Sequence, residues 1–445
     1  MPGSLVNILV GAVLLLGTIS ATAFAAPAPQ SAPPIVELTL GTSTEGRPIT
    51  ALKIGGGARK FVLVGDTHGG PEANTFELVT QLAEYFRTHP AEVPDGLRLY
   101  IIPTLNPDGL ALGTRFNARG VDLNRNMNTN IDSCAENDWR NDVQGAYGVE
   151  STTGGPFAES EPESRLIRDF LLDAAGVIFF HSNGGDVFPA FCEHAPSIAL
   201  AQAYAAATGY TYDRYWQKYM ITGGMHDWAG ALGIAAITPE LSSGDQPEFT
   251  QNLAGVQAIL QQADALLPIP TDHQEHGFTI PALIWRFWQA HGGAAHFGLP
   301  LAPAQSEAGI TRQFFERAAL EIHPDQADTP WLVQPAPLGR QWLGTPDPPA
   351  PEQPGARFFP ETGHSMREAF LAEWEQRDGL LLLGFPLNEE ENVRAADGIV
   401  RPLQVFERGV LAYYAEDNSV RLEPLGWAML VRAQLQQSTA TQQIR

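Results

Sequence analysis

Basic residues are scarce in this chain of 445 residues: 27 lysines and arginines stand against 50 aspartates and glutamates, a formal net charge of −23. Such a balance excludes nucleic acid and anionic membrane surfaces as main partners, because both attract proteins through cationic patches. It favours solubility and is silent about chemistry. Charged residues make up 17% of the chain against 44% hydrophobic, which excludes wholesale disorder and allows sizeable cores. Cysteine is nearly absent. Cys134 and Cys192 are the two present, with no Cys-x-x-Cys metal pattern. In an oxidising compartment they could form one disulfide; the alternative is two buried thiols. Beyond the first 25 residues no apolar run is long enough to span a bilayer.

That first run is informative. Apart from Asn7, Leu5 to Phe24 is apolar or small, and Ala23-Phe24-Ala25 offers a small-x-small cleavage site ahead of the Pro/Ala stretch 26–34. Residues 1–25 read as a signal peptide, which predicts a secreted, extracellular protein with possible cell-surface association. No Lys or Arg precedes the run, and a membrane anchor is the alternative.

The length suggests two or three domains. From 35 to 267, strand and helix patterns alternate. Buried-strand runs lie at Phe61–Gly65, Leu97–Pro103, Gly176–Phe180 and Ile234–Thr238; helical spacing covers Asn74–His89, Glu163–Ala174, Pro196–Thr208 and Phe249–Leu267. This predicts an α/β domain with a mostly parallel central sheet flanked by helices. Residues 268–275 read as a linker. From 276 onward the chain repeats itself. Trp288 precedes the Gly of Phe297-Gly298-Leu299-Pro300-Leu301 by ten residues, as Trp374 does that of Leu383-Gly384-Phe385-Pro386-Leu387. Gln313–Arg317 then matches Gln404–Arg408, and each unit closes on Pro-Leu-Gly. Two copies of one module are expected, at 276–340 and 357–431, around a Pro-rich joint at 341–356. Trp288, Trp374, Phe315 and Phe406 read as core rather than as ligand-binding residues.

Three of the expected strands run into unusual residues: Asp66-Thr67-His68-Gly69-Gly70-Pro71-Glu72, His181-Ser182-Asn183-Gly184-Gly185, and Pro239-Glu240. In an open α/β sheet, ligands sit in the crevice at the carboxyl ends of the strands. Two imidazoles and two carboxylates would converge there, and two His with one Glu is the ligand set of a hydrolytic zinc site. Pro71 suits a first helical turn, which would put His68 and Glu72 on one face. Singly, a strand-end His is more often structural; convergence of four such residues implies a task. A second cluster runs from Asn106-Pro107-Asp108-Gly109 to Arg115 and Gly120-Val121-Asp122-Leu123-Asn124-Arg125-Asn126. Its arginines in an acidic chain suggest a site for an anionic group, against the plainer reading of a turn and a polar loop.

These strings resemble the zinc carboxypeptidase family of the carboxypeptidase A type, over roughly Ile35–Leu267. Glu45-Gly46-Arg47-Pro48-Ile49, the Asn-Pro-Asp-Gly and Gly-Val-Asp-Leu-Asn-Arg-Asn strings, and Tyr219 to Trp228 followed by Thr238-Pro239-Glu240-Leu241 carry the likeness. It implies a mixed, mostly parallel sheet in the catalytic domain, one Zn2+ held by His68, Glu72 and His181, Glu240 as general base and proton donor, and Arg115 on the substrate carbonyl. Asn124 and Arg125 would hold the free C-terminal carboxylate of a peptide substrate, and Tyr219 would close over the bound residue. Two departures stand out: three residues, not two, separate His68 from Glu72, and His226 occupies the place of a residue lining the side-chain pocket. The implied activity is removal of single C-terminal residues by a metallocarboxypeptidase made without an inhibitory pro-segment. Alternatives are a peptidase of the same fold acting on peptidoglycan stem peptides and a non-catalytic surface binder. The tail resembles tandem Leu-Gly-Phe-Pro repeats of exported bacterial proteins, which implies contact with cell wall or glycan.

Overall fold

The central strand pattern begins with Phe61, Val62, Leu63 and Val64, all fully buried, as a parallel strand covered on both faces requires. The computed structural model describes residues 33–144, 150–394 and 397–443; the expected signal peptide lies outside the described residues. Strands β1 (Ile35–Thr42), β2 (Pro48–Ile54), β3 (Arg59–Val64) and β4 (Leu97–Ile102) flank helices α1 (Asn74–Thr88) and α2 (Pro107–Leu112). A small hairpin, β5 (Val143–Gln144) with β6 (Glu150–Ser151), precedes α3 (Pro162–Phe170). Then come β7 (Ala174–Phe179), β8 (His181–Ser182), β9 (Asp186–Pro189), α4 (Ala195–Thr208), β10 (Thr211–Tyr212), α5 (Met225–Ala231), β11 (Ala235–Leu241), α6 (Phe249–Gln261) and α7 (Ala263–Leu266).

One mixed sheet runs in the order β1-β2-β4-β3-β7-β11-β9-β10, with β8 paired to β11. The interior pairs β4-β3, β3-β7 and β7-β11 are parallel, and the antiparallel pairs are β1-β2, β2-β4 and β11-β9. The expected α/β class holds. Strand ends shift by up to three residues, and two helices end differently from the expectation. The helix expected over Glu163–Ala174 stops at Phe170, because Ala174 opens β7 and pairs with Lys60 of β3. The helix expected over Phe249–Leu267 breaks at Gln262 into α6 and α7.

Beyond Leu267 the chain runs twice through the same succession of elements. The first pass is a hairpin of β12 (His273–Glu275) and β13 (Phe278–Ile280), helices α8 (Ala282–Ala290) and α9 (Gly293–Phe297), a four-stranded antiparallel sheet β14–β17 (Gln305–Glu307, Ile310–Phe314, Ala319–Ile322, Val333–Pro335), and α10 (Leu338–Leu343). The second is β18 (Arg357–Phe359) with β19 (His364–Met366), α11 (Glu368–Gln376), α12 (Gly379–Leu382), β20–β23 (Glu391–Arg394, Val400–Val405, Val410–Tyr414, Ser419–Leu422), and α13 (Leu425–Gln443). Corresponding bonds recur. Trp288 Nε1 donates to Gly298 O at 3.1 Å and Trp374 Nε1 to Gly384 O at 3.0 Å.

Each closing helix packs on the other half. Arg340 N donates to Glu407 O, and Trp427 N to Glu316 O. A Cβ on Gly339 would lie 1.8 Å from Phe406 O, and one on Gly426 would lie 2.0 Å from Phe315 O, so only glycine permits these approaches. Leu338, Leu387, Val405 and Leu425 share one small core. The first half also grips the α/β sheet. Arg286 of α8, buried, donates to Leu172 O, Ala174 O, Leu232 O and Gly233 O, at the amino-terminal ends of β7 and β11. His291 bonds Asp169 at 2.8 Å, and Lys53 pairs with Asp328 at 2.7 Å. Among the described residues no helix is long and apolar enough to cross a membrane.

Candidate metal centre and substrate cleft

His68, Glu72 and His181 meet at the carboxyl ends of β3 and β7, all three buried. His68 and Glu72 do not share a helical face as expected. His68 lies before a 3-10 turn, Gly70–Glu72, and α1 starts only at Asn74. The turn is tight because Gly69 and Gly70 press on the segment after β4. Added Cβ atoms would lie 2.2 Å from the carbonyl carbon of Gly109 and 2.4 Å from Gly113 O, and Gly70 has φ +59°. The extra residue between His68 and Glu72 is accommodated in this turn. His68 Nδ1 lies 2.8 Å from Glu72 Oε1 and 3.1 Å from His181 Nδ1, which lies 2.9 Å from Glu72 Oε2.

These separations match the chemistry of a divalent cation site. A tetrahedral zinc with bonds of about 2.0–2.1 Å places its ligands roughly 3.3 Å apart. The outer nitrogen of His68 is already held, with Nε2 2.9 Å from Asp122 Oδ1, so Nδ1 is the one turned inward. His181 Nε2 faces Asn124 Nδ2 at 3.4 Å. With His68 Nδ1 only 3.1 Å from His181 Nδ1, protons on both nitrogens would repel, whereas one cation could be shared by both and by the Glu72 carboxylate. Burial and the adjacent His68 push His181 down to about 4. Burial works against the Glu72 carboxylate too, yet the two histidines hold it well below the usual range.

Glu240 sits near the end of β11, in register with His181 on β8. Burial, then the charge of Glu72, pushes its carboxyl up to about 8. Arg115 donates from Nη1 to Glu72 Oε1 at 2.8 Å and from Nε to Asp122 Oδ2 at 2.9 Å. Asn124 Oδ1 accepts from Met225 N at the start of α5. Arg125 is buried and donates to Asn124 O at 2.8 Å, and its Nε has no partner within the protein. These residues, with Tyr219, Lys218, Trp216 and Ile221, line a cleft of about 570 Å3. A second cavity of about 90 Å3 adjoins it. Tyr219, Glu240 and Asn124 belong to both walls, and Asn137, Phe188, Phe191, His226 and Asp227 line the smaller one. His226 Nδ1 lies 3.0 Å from Thr238 Oγ1, and its Nε2 lies 3.3 Å from Asp227 Oδ1. The structure thus brings every candidate residue to one cleft or the cavity beside it. Cys134 and Cys192 are joined in a disulfide, which ties the loop bearing Asn137 to the one bearing Phe191.

The sequence profile of the zinc carboxypeptidase family matches residues 22–275, more than half of the chain. The chain belongs to the zinc carboxypeptidase family. This is a family of metallocarboxypeptidase hydrolases, and the chain carries its fold. The human carboxypeptidase A6 is 26% identical over 238 residues, 44% of this chain and 52% of that protein; for the mouse protein, 27% identical over 166 residues, the shares are 32% and 36%. The chain therefore spans about half or less of the length of these relatives. Murein peptide amidase A of Escherichia coli K12 is 27% identical over 245 residues, 52% of this chain and 90% of that protein. Among solved structures, bovine thrombin-activatable fibrinolysis inhibitor in complex with tick carboxypeptidase inhibitor aligns with a TM-score of 0.44 at 20% identity, covering 52% of this chain and 90% of that one. A metallo-carboxypeptidase from Burkholderia cenocepacia aligns with a TM-score of 0.39 at 21% identity, covering 52% and 65%.

Spacing alone does not single out Asp122, which meets both His68 and Arg115. Its signal is a carboxylate two residues ahead of Asn124-Arg125, visible once those residues are suspected. Trp216 and Lys218 sit in a loop, Asp213 to Gly224, whose sequence shows no periodicity to mark them.

Proposed function

We propose that this chain is a secreted zinc carboxypeptidase that hydrolyses the last peptide bond of peptides. The observation that carries this reading is one cleft holding the two-imidazole, one-carboxylate donor set beside Arg125, a buried guanidinium with an unpartnered Nε. His68, Glu72 and His181 would hold the metal. When bound, zinc polarises a scissile carbonyl and makes water a better nucleophile at neutral pH. Glu240 takes a proton from the attacking water and passes it to the leaving amine. A cation among His68, Glu72 and His181 favours ionised Glu240, opposing the burial that raises it. Arg115 donates to the carbonyl oxygen as charge develops on it. Asn124 and Arg125 hold the terminal carboxylate, which places the last peptide bond, and no internal one, beside Glu240. Tyr219 covers the released residue, and His226 lines the cavity for its side chain. The disulfide supports an oxidising, extracytoplasmic location.

The test is mass spectrometry of peptide digests. Stepwise loss of single C-terminal residues is expected, abolished by a chelator and restored by Zn2+. Internal cuts, or activity indifferent to chelation, would defeat the reading. Asp122→Asn is expected to weaken zinc affinity roughly 10–100-fold by loosening His68, measured by competition with a chromophoric chelator. Unchanged affinity would show that His68 is oriented by other contacts.

A second reading is supported by the match to a murein peptide amidase over 90% of that protein's length: hydrolysis of peptidoglycan stem peptides by this same site. The two C-terminal stretches, taken as copies of one module, fit that reading as a unit contacting cell wall or glycan. Muropeptides assayed beside linear peptides separate the two.

A further inference from the structure

The proposed chemistry leaves one cation of the cleft without a task. The chain has three lysines, Lys53, Lys60 and Lys218. Lys53 pairs with Asp328 at 2.7 Å and Lys60 with Asp173 at 2.8 Å. Lys218 forms no ion pair among the described residues. Its Nζ lies 4.5 Å from the centroid of the Trp216 ring, and the residue lines the large cleft together with Pro71, Ser182, Asn183 and Glu240. It is no part of the smaller cavity's lining. Arg115, by contrast, pairs with Glu72 and Asp122 and is assigned the scissile carbonyl, and Arg125 is assigned the terminal carboxylate. Lys218 is exposed, and Glu240 and Asp186 feel its charge without bonding it; in a chain with a formal net charge of −23, its ammonium is free to bond an anion that the ligand brings.

Both ends of the released residue are spoken for, its carboxylate by Arg125 and its side chain by the smaller cavity. The anion facing Lys218 therefore belongs to the residue on the other side of the scissile bond. We propose that Lys218 reads a second carboxylate, carried by the penultimate residue, so that preferred substrates present an acidic residue immediately before the one removed. Two chemistries supply that group: the side chain of an ordinary acidic residue, or the main-chain carboxylate of a glutamate joined through its side chain. The proposal rests on the carboxypeptidase reading for the direction in which the peptide lies.

The experiment uses the zinc-loaded full chain and peptide pairs identical except for Glu or Gln at the penultimate position, with a third peptide linked through the glutamate side chain. Wild-type kcat/KM is expected to favour a glutamate peptide over the Gln peptide by about threefold to fivefold, the size of one charge-assisted contact at an exposed site. High salt should shrink the preference. Lys218→Met should bring the ratio near one, and Lys218→Arg should keep most of it. The glutamate peptide with the larger ratio identifies the source of the carboxylate. Equal rates for Glu and Gln peptides in the wild type overturn the proposal, as does Lys218→Met slowing both alike. Affinities for the Glu240→Gln chain, with and without Lys218→Met, separate the two readings. If no peptide is cleaved, the carboxypeptidase reading falls, while a glutamate preference in binding that Lys218→Met removes still upholds Lys218 and equal affinities sink it.

Discussion

Glu240→Gln is expected to lower kcat by about 10²–10⁴-fold, the range for losing a positioned general base, while the chain still binds one zinc. Glutamine keeps the size and hydrogen-bonding reach of glutamate but cannot take up a proton. None of the three proposed metal donors is replaced, and Glu240 acts on Glu72 and His68 through its charge, which glutamine removes without taking a ligand away. Metal content by mass spectrometry should therefore match wild type while turnover collapses. KM should move little, because Arg125, Asn124 and the small cavity do the holding. A kcat within tenfold of wild type would remove Glu240 from the chemistry. Loss of zinc along with activity would show it to be a ligand instead.

Arg286→Met is expected to destabilise the protein by on the order of 4 kcal/mol, because it leaves three buried carbonyls, those of Leu172, Ala174 and Leu232, without their charged donor and each costs about 1–3 kcal/mol when not re-paired. Arg286 joins α8 to the starts of β7 and β11, so the loss falls on the sheet that carries His181 and Glu240. With unfolding entropies near 2.1 cal/mol/K per residue, that cost corresponds to a Tm drop of about 5 °C for a chain of this size. Calorimetry on the full chain measures it. A change under about 1 °C would mean that water replaces the guanidinium at no cost. The substitution conserves the apolar stem, so lost packing does not confuse the result.

The α/β class and the candidate site were legible for one reason. The strands are apolar runs ending abruptly in His, Asn, Glu and Gly, and an open sheet collects its strand ends in one crevice. The parts that were not legible depend on partners distant in sequence. Leu171 and Leu172 continue the apolar spacing of α3, and only pairing with β3 decides that Ala174 belongs to a strand. The turn between His68 and Glu72 is dictated by Gly109 and Gly113, which press on Gly69 and Gly70. Arg286 lies inside Leu-Ile-Trp-Arg-Phe-Trp, which reads as an ordinary amphipathic helix. Its acceptors at Leu172 and Ala174 are 114 and 112 residues away. Asp122 was hidden in plain view, since a motif names residues without saying which of them touch.

The exchange of closing helices has a topological consequence. In a solenoid each unit offers its neighbour a fresh surface, so copies can be added one at a time. Here α10 caps the second half and α13 caps the first, and both surfaces are consumed reciprocally, as in a two-fold assembly. If the two stretches are copies of one module, each uses up the capping surface of the other, and a longer array built on this plan would grow by pairs.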